Sequence, residues 1–246
     1  MKMNPQQKEQ KINPFLKKIS LKILPRFIFK YLDPFLYNIQ IEIKKLSERY
    51  NFEGMNILDA GCGENKLKDK FPRANFIGID MGVGDKSWNY GKIDIQGDLK
   101  QLPFKDNSFD LVISIVTLEH IDNPLVALKE ISRILKKGGK LFLIIPFMWE
   151  YHQIPNDFFR FTKSGAKVLL KESKLKIEYI EPIGGFFWLF SRRLFNLLTF
   201  FQKSIFWILF LIFLPVPILL SPILYYMDKF DKSKNFTLGF KIKAIK

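Results

Sequence analysis

Short apolar runs alternate with longer amphipathic stretches along the centre of this chain. Aliphatic and aromatic residues fill these runs, and most of the runs end at a glycine, a proline or an acid, which are common strand terminators. Seven segments carry the pattern: residues 56–60, 75–80, 90–98, 110–116, 140–147, 174–184 and 237–245. Because strands that alternate with helices pair in parallel, the pattern predicts an α/β fold with a doubly wound sheet.

The stretch between the fourth and fifth runs is typical of a helix. Asn123 can cap its start, Pro124 suits its first turn, and leucine and isoleucine recur at helical spacing. Lys136–Lys137 then suit the negative end of a helix dipole, and Gly138–Gly139 are expected to end the helix. The pattern therefore predicts a helix from Pro124 to about Lys137.

A charge-free apolar run, residues 205–227, lies between the sixth and seventh predicted strands. If those strands pair in one sheet, both ends of the run lie on one side of any membrane, so a single crossing is excluded. Pro215 and Pro217 flank its midpoint, and each arm would be about 15 Å long as a helix, half of a hydrocarbon core. We expect a hairpin that dips into one leaflet, with Arg192 and Arg193 among the cations that face the headgroups. A helical cap buried on protein is the alternative.

A glycine-rich turn follows the first predicted strand. In NILDAGCGENKL, residues 56–67, Gly61 and Gly63 allow a sharp turn and a close approach of the backbone to a ligand. Asp80 ends the second predicted strand, and an acid at this place in a nucleotide-binding sheet accepts hydrogen bonds from ribose hydroxyls. A dinucleotide dehydrogenase would require a third glycine where the chain has Lys66.

The order of motifs resembles a known family. LDAGCG, then IGID, then GDLKQLPFKDNSFDLVISIVTLEHIDNPLVALKEISRILKKGGKLFLIIP is similar to the class I S-adenosylmethionine-dependent methyltransferases of the type 11 group. The resemblance covers about residues 54–183, with 237–245 similar to the family's last strand. It implies a Rossmann-like sheet of seven strands, mostly parallel with an antiparallel last strand, and a hydrophobic helical insertion between the sixth and seventh strands.

The same resemblance implies the cofactor site for S-adenosylmethionine. The turn with Asp59 would shape the methionine end, Asp80 would hold the ribose, and Asp98 with Leu99 would meet the adenine. The full expected set is Asp59, Gly61, Cys62, Gly63, Asp80, Met81, Asp98, Leu99 and Thr117. Asn65 replaces a third glycine that many members carry, which bears on loop geometry. For Cys62, a small side chain packed under the loop is favoured over a nucleophile.

Two histidines, His120 and His152, follow the fourth and fifth predicted strands, at the edge where such sheets bind ligands. A hydroxyl acceptor needs a base, so both are catalytic candidates, with packing or surface roles as the alternative. The segment 150–162 also carries Asp157 and Arg160 and resembles a stretch found in family members that act on sugars or envelope precursors. The alternative for this segment is a loop held by an Asp157–Arg160 pair, with Thr162 as a helix cap.

Charge and cysteine content limit the partners and the kinds of site that the chain can have. The net charge of +15 is concentrated in the two ends of the chain, where basic residues are interleaved with apolar ones. This mixture suits binding to an anionic membrane surface, and a solvated basic surface is the alternative. A single cysteine excludes an internal disulfide and a zinc site built on cysteines, and no metal is expected. No signal peptide is expected in the first fifty residues.

These observations predict three parts: a basic amphipathic N-terminal lid at 1–50, a cofactor-binding domain at 51–184 with 235–246, and a membrane-associating insertion at 185–234. The expected function is methyl transfer at the cytoplasmic membrane face to a lipid-linked, saccharide or quinone-like acceptor. A nucleic-acid methyltransferase and a catalytically inactive membrane scaffold are the alternatives. Nucleic-acid binding is disfavoured because the basic ends lack a recognisable RNA module.

Overall fold

The computed structural model describes residues 26–49, 51–84, 88–201 and 207–246. The predicted amphipathic helix with Ile12, Phe15 and Ile23 lies outside these residues. The described chain divides into two compact units. The first unit holds residues up to Ile41, the short segment Glu150–His152 and residues Pro182–Leu238; the second holds the rest.

A seven-stranded sheet has the strand order β3-β2-β1-β4-β5-β7-β6. Strands β1 to β5 pair in parallel, and β7 lies antiparallel to β5, with Gly239 opposite Pro146. This confirms the predicted sheet with its antiparallel last strand. The strands are β1 (Asn56–Ala60), β2 (Asn75–Asp80), β3 (Ile95–Gln96), β4 (Phe109–Ile115), β5 (Leu135–Pro146), β6 (Lys176–Ile183) and β7 (Gly239–Ile245).

Seven α-helices are assigned within the described residues. They are α1 (Arg26–Leu32), α2 (Pro34–Arg49), α3 (Pro124–Ile134), α4 (Lys163–Glu172), α5 (Phe186–Leu198), α6 (Trp207–Phe213) and α7 (Pro215–Met227). The side chain of Asn123 caps α3 by accepting a hydrogen bond from the N–H of Val126 at 3.3 Å, as the sequence predicts. Thr162 caps α4 by accepting from the N–H of Gly165 at 3.0 Å.

The core of the second unit consists of apolar side chains on the central strands and on α3. Leu58, Val112 and Leu143 come from three neighbouring strands, and Ile131 comes from α3; all four are buried. Burial on both faces explains why these strands are continuous apolar runs. The sheet therefore holds the carboxyl ends of β1, β2 and β4 rigidly along one edge.

Two predicted boundaries are corrected. Helix α3 ends at Ile134, because Leu135 already pairs with Phe109 in the sheet, and Lys136 donates to the Asp110 carboxylate at 2.8 Å rather than capping the helix. The third predicted strand, 90–98, is reduced to Ile95–Gln96. In both places tertiary pairing, rather than local propensity, decides where the element ends.

In the first unit, α5 packs antiparallel against α7. The rings of Trp188 and Tyr225 stack with centroids 5.2 Å apart near one end, and those of Phe201 and Phe213 stack at 5.5 Å near the other. The Asp228 carboxylate accepts hydrogen bonds from two backbone N–H groups at the start of α5, that of Gly185 at 3.1 Å and that of Trp188 at 3.2 Å. A helical insertion thus lies between β6 and β7, as predicted.

The predicted hairpin turn at Pro215–Pro217 is wrong. Leu214 has helical dihedral angles, φ −56° and ψ −40°, and the chain continues as one helical stretch, Trp207–Phe230. Proline needs no N–H partner in the first turn of a helix, so these prolines fit the start of α7 without reversing the chain. The antiparallel partner of α7 is therefore α5, not α6.

Arg192 does not face headgroups, contrary to the expectation. Its guanidinium pairs with both oxygens of the Glu150 carboxylate, and it lies 3.6 Å from Asp33; its side chain is only 13% exposed. Arg193 is more exposed and contacts Glu150 at 3.2 Å. Two acids therefore satisfy the arginines at the centre of α5 inside the first unit.

Candidate functional site

The glycine turn follows β1 directly. The N–H groups of Gly61 and Cys62 both donate to the carbonyl oxygen of Ile79, at 2.9 and 3.1 Å, which folds the turn over the end of β2. Gly61 and Gly63 have φ values of +84° and +53°, a region that side chains rarely adopt. The turn therefore depends on glycine for its backbone conformation.

Gly61 also permits a close contact with the end of β4. A Cβ at Gly61 would lie 2.1 Å from Cγ2 of Thr117, and the Thr117 hydroxyl is 3.4 Å from the Gly61 carbonyl oxygen. Thr117 and the turn, both predicted from the resemblance, therefore lie together at the carboxyl edge of the sheet.

Asn65 explains the departure from the family's third glycine. Its φ is +54°, and asparagine tolerates this left-handed conformation better than most residues with a side chain. Its amide donates to the Lys92 carbonyl oxygen at 2.8 Å and to the Asp94 carboxylate at 3.0 Å. Asn65 thus keeps the backbone shape of a glycine while it ties the turn to the segment before β3.

Asp80 connects the turn with the ends of β2 and β3. Its carboxylate accepts hydrogen bonds from the N–H of Gly63 at 2.9 Å and from the N–H of Gly82 at 2.7 Å. Its carbonyl oxygen accepts from Gly97 at 3.0 Å, which places Asp98 on the same rim. Each carboxylate oxygen can accept a second hydrogen bond.

The remaining predicted cofactor residues surround this rim. Asp59 is buried beside Asp80, and burial, followed by the charge of Asp80, raises its pKa to about 8. Burial and the two acids also raise the pKa of the Cys62 thiol, which argues against a nucleophilic thiolate. Leu99 is buried in the core, and Met81 is 48% exposed.

The sequence did not single out Trp88. A Cβ at Gly63 would meet the Trp88 ring at 3.1 Å, and the ring centroids of Trp88 and Tyr90 lie 6.1 Å apart. No periodic pattern marks this loop, so only the tertiary structure brings Trp88 to the glycine turn.

Glu119 is a second residue that the sequence analysis left unassigned. It follows β4 in a short 3-10 turn and is completely buried, and burial raises its pKa to about 8. Its carbonyl oxygen accepts from the N–H of Phe158 at 2.8 Å. The Nδ1 atom of His120 lies 2.5 Å from the Asn156 carbonyl oxygen. These contacts hold the loop 156–160 against the end of β4.

Arg160 and Asp157 form a bidentate pair, with nitrogen–oxygen distances of 2.6 and 2.8 Å. Arg160 also donates to the Trp149 carbonyl oxygen at 3.2 Å, and Asp157 is buried. The structure therefore shows the alternative that the sequence left open for this loop, an Asp157–Arg160 pair with Thr162 as a helix cap. Within the second unit, the turn that carries His120 therefore contacts the loop that carries Asp157 and Arg160.

His152 belongs to the first unit, where its Nδ1 lies 3.1 Å from the carbonyl oxygen of Glu150. Burial acts to raise the pKa of the Glu150 carboxyl, but Arg192 and Arg193 outweigh it and hold that pKa below its usual range. Glu150 therefore acts as a structural anion, although it begins the segment 150–162, which resembles a stretch of family members that act on sugars or envelope precursors.

A cavity at the opposite edge of the sheet is not part of this site. Its lining includes Met55, Asp110 and Lys140, which lie at the amino ends of β1, β4 and the parallel part of β5. Ligands of doubly wound sheets bind at the carboxyl ends of the strands. The glycine turn remains the candidate site.

Comparison with known proteins identifies the family of this chain. The family model described as a methyltransferase domain matches residues 58–143, which include the glycine turn, Asp80, Asp98 and His120. The uncharacterized protein MJ0638 of Methanocaldococcus jannaschii is 31% identical over 211 residues, which cover 84% of this chain and 82% of that protein.

A named relative and a solved structure are also similar to this chain. Demethylmenaquinone methyltransferase of Staphylococcus haemolyticus is 36% identical over 90 residues, 35% of this chain and 38% of the relative, so the chain spans well under half of that protein. A crystal structure of an S-adenosylmethionine-dependent methyltransferase from Mesorhizobium loti matches with a TM-score of 0.52 and 14% identity, over 86% of this chain and 98% of that one. The structural match supports the fold. The chain belongs to the class I S-adenosylmethionine-dependent methyltransferases of the type 11 group, and its cofactor is S-adenosylmethionine.

Proposed function

We propose that this methyltransferase works at the cytoplasmic face of a membrane and methylates a lipid-linked, saccharide or quinone-like acceptor. One observation carries the proposal: the helical stretch Trp207–Phe230 is long and apolar enough, by length and composition, to cross a bilayer, and it is the one such helix among the described residues. Both ends of the whole insertion are joined by the chain to strands of one sheet, so the insertion would enter and leave the bilayer from one side through the antiparallel helices α5 and α7.

The outer surface of this stretch is unusually apolar. Side chains such as Trp207, Ile212, Leu219 and Ile223 are more than half exposed. Exposed apolar surface of this extent marks a contact with a membrane or with another protein. This surface supports the proposal that the insertion 185–234 associates with a membrane. A quinone-like acceptor is among the proposed substrates because one relative is named a demethylmenaquinone methyltransferase.

The glycine turn and its acids fit the cofactor. Gly61 and Gly63 keep the backbone open at the strand end, where a side chain would fill the space against Thr117 or Trp88. Asp80 has acceptor capacity for ribose hydroxyls, and Asp98 lies on the next segment of the rim. The other expected residues, Asp59, Cys62, Met81, Leu99 and Thr117, would complete the lining.

When bound, S-adenosylmethionine supplies an electrophilic methyl group on a sulfonium. The chain must then hold the acceptor in line with that methyl group and exclude water. A hydroxyl acceptor also has to lose a proton, and His120 is the proposed base. Because the Asn156 carbonyl can only accept, the close contact assigns the His120 proton to Nδ1 and leaves Nε2 to receive a proton.

Asp157 and Arg160 are proposed to frame the acceptor. The side chain of Arg160 is 24% exposed while it holds Asp157, so we infer that it can also bind a hydroxylated or anionic group of the acceptor. His152 is a second candidate base on the segment that follows β5. The activities of His120→Ala and His152→Ala would show which ring takes part.

The test is methyl transfer with the whole chain. Purified protein would be incubated with methyl-labelled S-adenosylmethionine and, in parallel, with a membrane-lipid extract, an envelope glycan extract and total RNA. We expect label in the lipid or glycan fraction and a product heavier than its precursor by one CH₂ group. Asp80→Ala should abolish labelling, and Asp69→Ala, which changes an exposed acid, should not.

Other outcomes would overturn the proposal. Label in RNA alone would favour the nucleic-acid alternative. Cofactor binding with no labelled fraction would favour an inactive scaffold. Sedimentation of the protein with membranes that is reversed by high salt alone would contradict apolar insertion and support a buried cap or a basic surface instead.

A further inference from the structure

A cluster of one lysine and three tyrosines lies at the end of the apolar stretch. Lys30 on α1 places its Nζ 3.3 Å from the Tyr226 hydroxyl, which lies 3.1 Å from the Tyr31 hydroxyl. The same ammonium lies over the ring of Tyr31 at 4.7 Å and over those of Tyr225 and Tyr226 at 5.6 Å. These four residues are called the Lys30 cluster below.

The cluster is rich in donors and poor in acceptors. Within the described part of the chain, no carboxylate lies within the 4 Å ion-pair distance of Lys30, whereas Arg192 and Lys234 each have an acidic partner. An ammonium has three N–H donors, and only one is directed at Tyr226. The Tyr31 and Tyr226 hydroxyls share one hydrogen, so the second phenol hydrogen and the ammonium hydrogens that do not face these hydroxyls can be donated to an outside acceptor.

Electrostatics also favours an anion at this place. Hydrogen bonds that the ammonium donates to Tyr31 and Tyr226 raise the pKa of Lys30, so the ammonium stays charged at any physiological pH. Tyr31, followed by Lys30, lowers the pKa of Tyr226, so its hydroxyl is a better donor than an ordinary phenol. A phenol donor beside a charged ammonium donor matches the oxygens of a phosphate.

The position of the cluster identifies the source of that phosphate. Tyr225 and Tyr226 are the last residues before Met227 ends α7, and the charged residues Asp228 and Lys229 follow directly. Trp188 stacks on Tyr225 and donates from Nε1 to its carbonyl oxygen at 3.1 Å. Tryptophan and tyrosine at the end of an apolar helix are typical of the headgroup level of a bilayer.

We propose that the Lys30 cluster binds the headgroup phosphate of an anionic glycerophospholipid and sets the depth at which α6 and α7 enter the leaflet. The inference rests on the membrane location in the proposed function. The apolar outer surface of the two helices lies in the acyl region, and the cluster stays with the headgroups. The partner is a lipid in a bilayer, not free phosphate.

The test uses vesicle flotation of the whole chain without S-adenosylmethionine, so it requires no turnover. Vesicles of phosphatidylcholine with phosphatidylglycerol would be compared with vesicles of phosphatidylcholine alone. Lys30→Met should weaken partitioning onto the anionic vesicles about fivefold. Tyr226→Phe, which changes no charge, should weaken it about threefold through loss of one hydroxyl.

Matched controls separate a site from diffuse attraction. Tyr179→Phe removes a phenol hydroxyl on β6, outside the cluster, and should bind like the wild type. Lys30→Arg keeps the charge and should retain most of the binding, and circular dichroism would verify that each variant is folded. Equal binding by wild type, Lys30→Met and Tyr226→Phe would overturn the inference.

Two further results distinguish the possible failures. Release of the protein from anionic vesicles by millimolar inorganic phosphate, at constant ionic strength, would show a free-phosphate site and would contradict the lipid assignment. Methyl transfer by the wild type is measured separately. If no transfer occurs but Lys30→Met still weakens vesicle binding, the proposed reaction fails and the lipid site stands.

Discussion

The carboxylate of Asp80 accepts a hydrogen bond from the backbone N–H of Gly63 at 2.9 Å. The acid that ends β2 is thereby joined to the turn that follows β1. One side chain both shapes the glycine turn and presents acceptor oxygens at the rim. Loss of this carboxylate should therefore affect the turn and the cofactor together.

We predict that Asp80→Asn weakens binding of S-adenosylmethionine by about tenfold or more. An amide has only one acceptor oxygen, so its NH₂ group must face the N–H of either Gly63 or Gly82, and the charge offered to the ribose is lost. Isothermal titration calorimetry measures the change. Asp69→Asn, at an exposed acid, is the matched control, and unchanged affinity of Asp80→Asn would contradict the assignment.

Gly61→Ala should destabilise the protein more than Gly54→Ala. Both glycines have positive φ, so both changes share a backbone cost of about 1–2 kcal/mol. Nothing lies within 4 Å of a Cβ at Gly54, whereas one at Gly61 would meet Thr117 at 2.1 Å. Overpacking should add about 1–3 kcal/mol to the loss of unfolding free energy.

Urea unfolding measures this difference. The double variant Gly61→Ala/Thr117→Gly removes the three atoms that would clash and should recover the additional loss. If the two single variants are equally destabilised, the close contact between the turn and the end of β4 is not a constraint on the fold.

Glu119→Gln should change how stability depends on pH. Burial raises the pKa of Glu119 from 4.5 to about 8, so the folded protein retains a proton that the unfolded chain releases. The contribution of Glu119 to the free energy of unfolding is complete below pH 4.5. It is lost as the pH rises to about 8, by at most about 1.4 kcal/mol per pH unit. Glutamine has no proton to lose.

Urea unfolding at pH 5 and pH 9 tests this relation. Between these values the wild type should lose stability relative to Glu119→Gln. Glu172→Gln, at an exposed site on α4, should follow the wild type at both values. A constant difference between wild type and Glu119→Gln would show that the buried carboxyl does not titrate in this window.

Arg192→Ala should destabilise the first unit more than Arg193→Ala. Arg192 is 13% exposed and pairs with both Glu150 and Asp33, so its loss leaves two partly buried acids without their main cation. We expect a loss of about 1–3 kcal/mol, against less than about 1 kcal/mol for the more exposed Arg193. Thermal and urea unfolding of both variants at neutral pH measure the difference. Equal effects would contradict the ranking by burial.

The sequence determined the elements whose pattern is local. Strand β2 was predicted with its observed limits, 75–80, because a buried parallel strand is a continuous apolar run. The glycine turn and Asp80 were also identified from sequence, since a sharp turn at the end of a strand requires glycine, and acids at neighbouring strand ends meet at one edge.

Only the tertiary structure decided how distant residues meet. Residues far apart along the chain meet in four places: the antiparallel pairing of α5 with α7, the ion pairs of Arg192, the contact of Gly61 with Thr117, and the Lys30 cluster. Prolines that suggested a turn in the sequence fit the start of α7 instead, because neighbouring helices fix its direction. Local periodicity specifies the backbone conformation of a segment, but packing and charge pairing select which segments become neighbours.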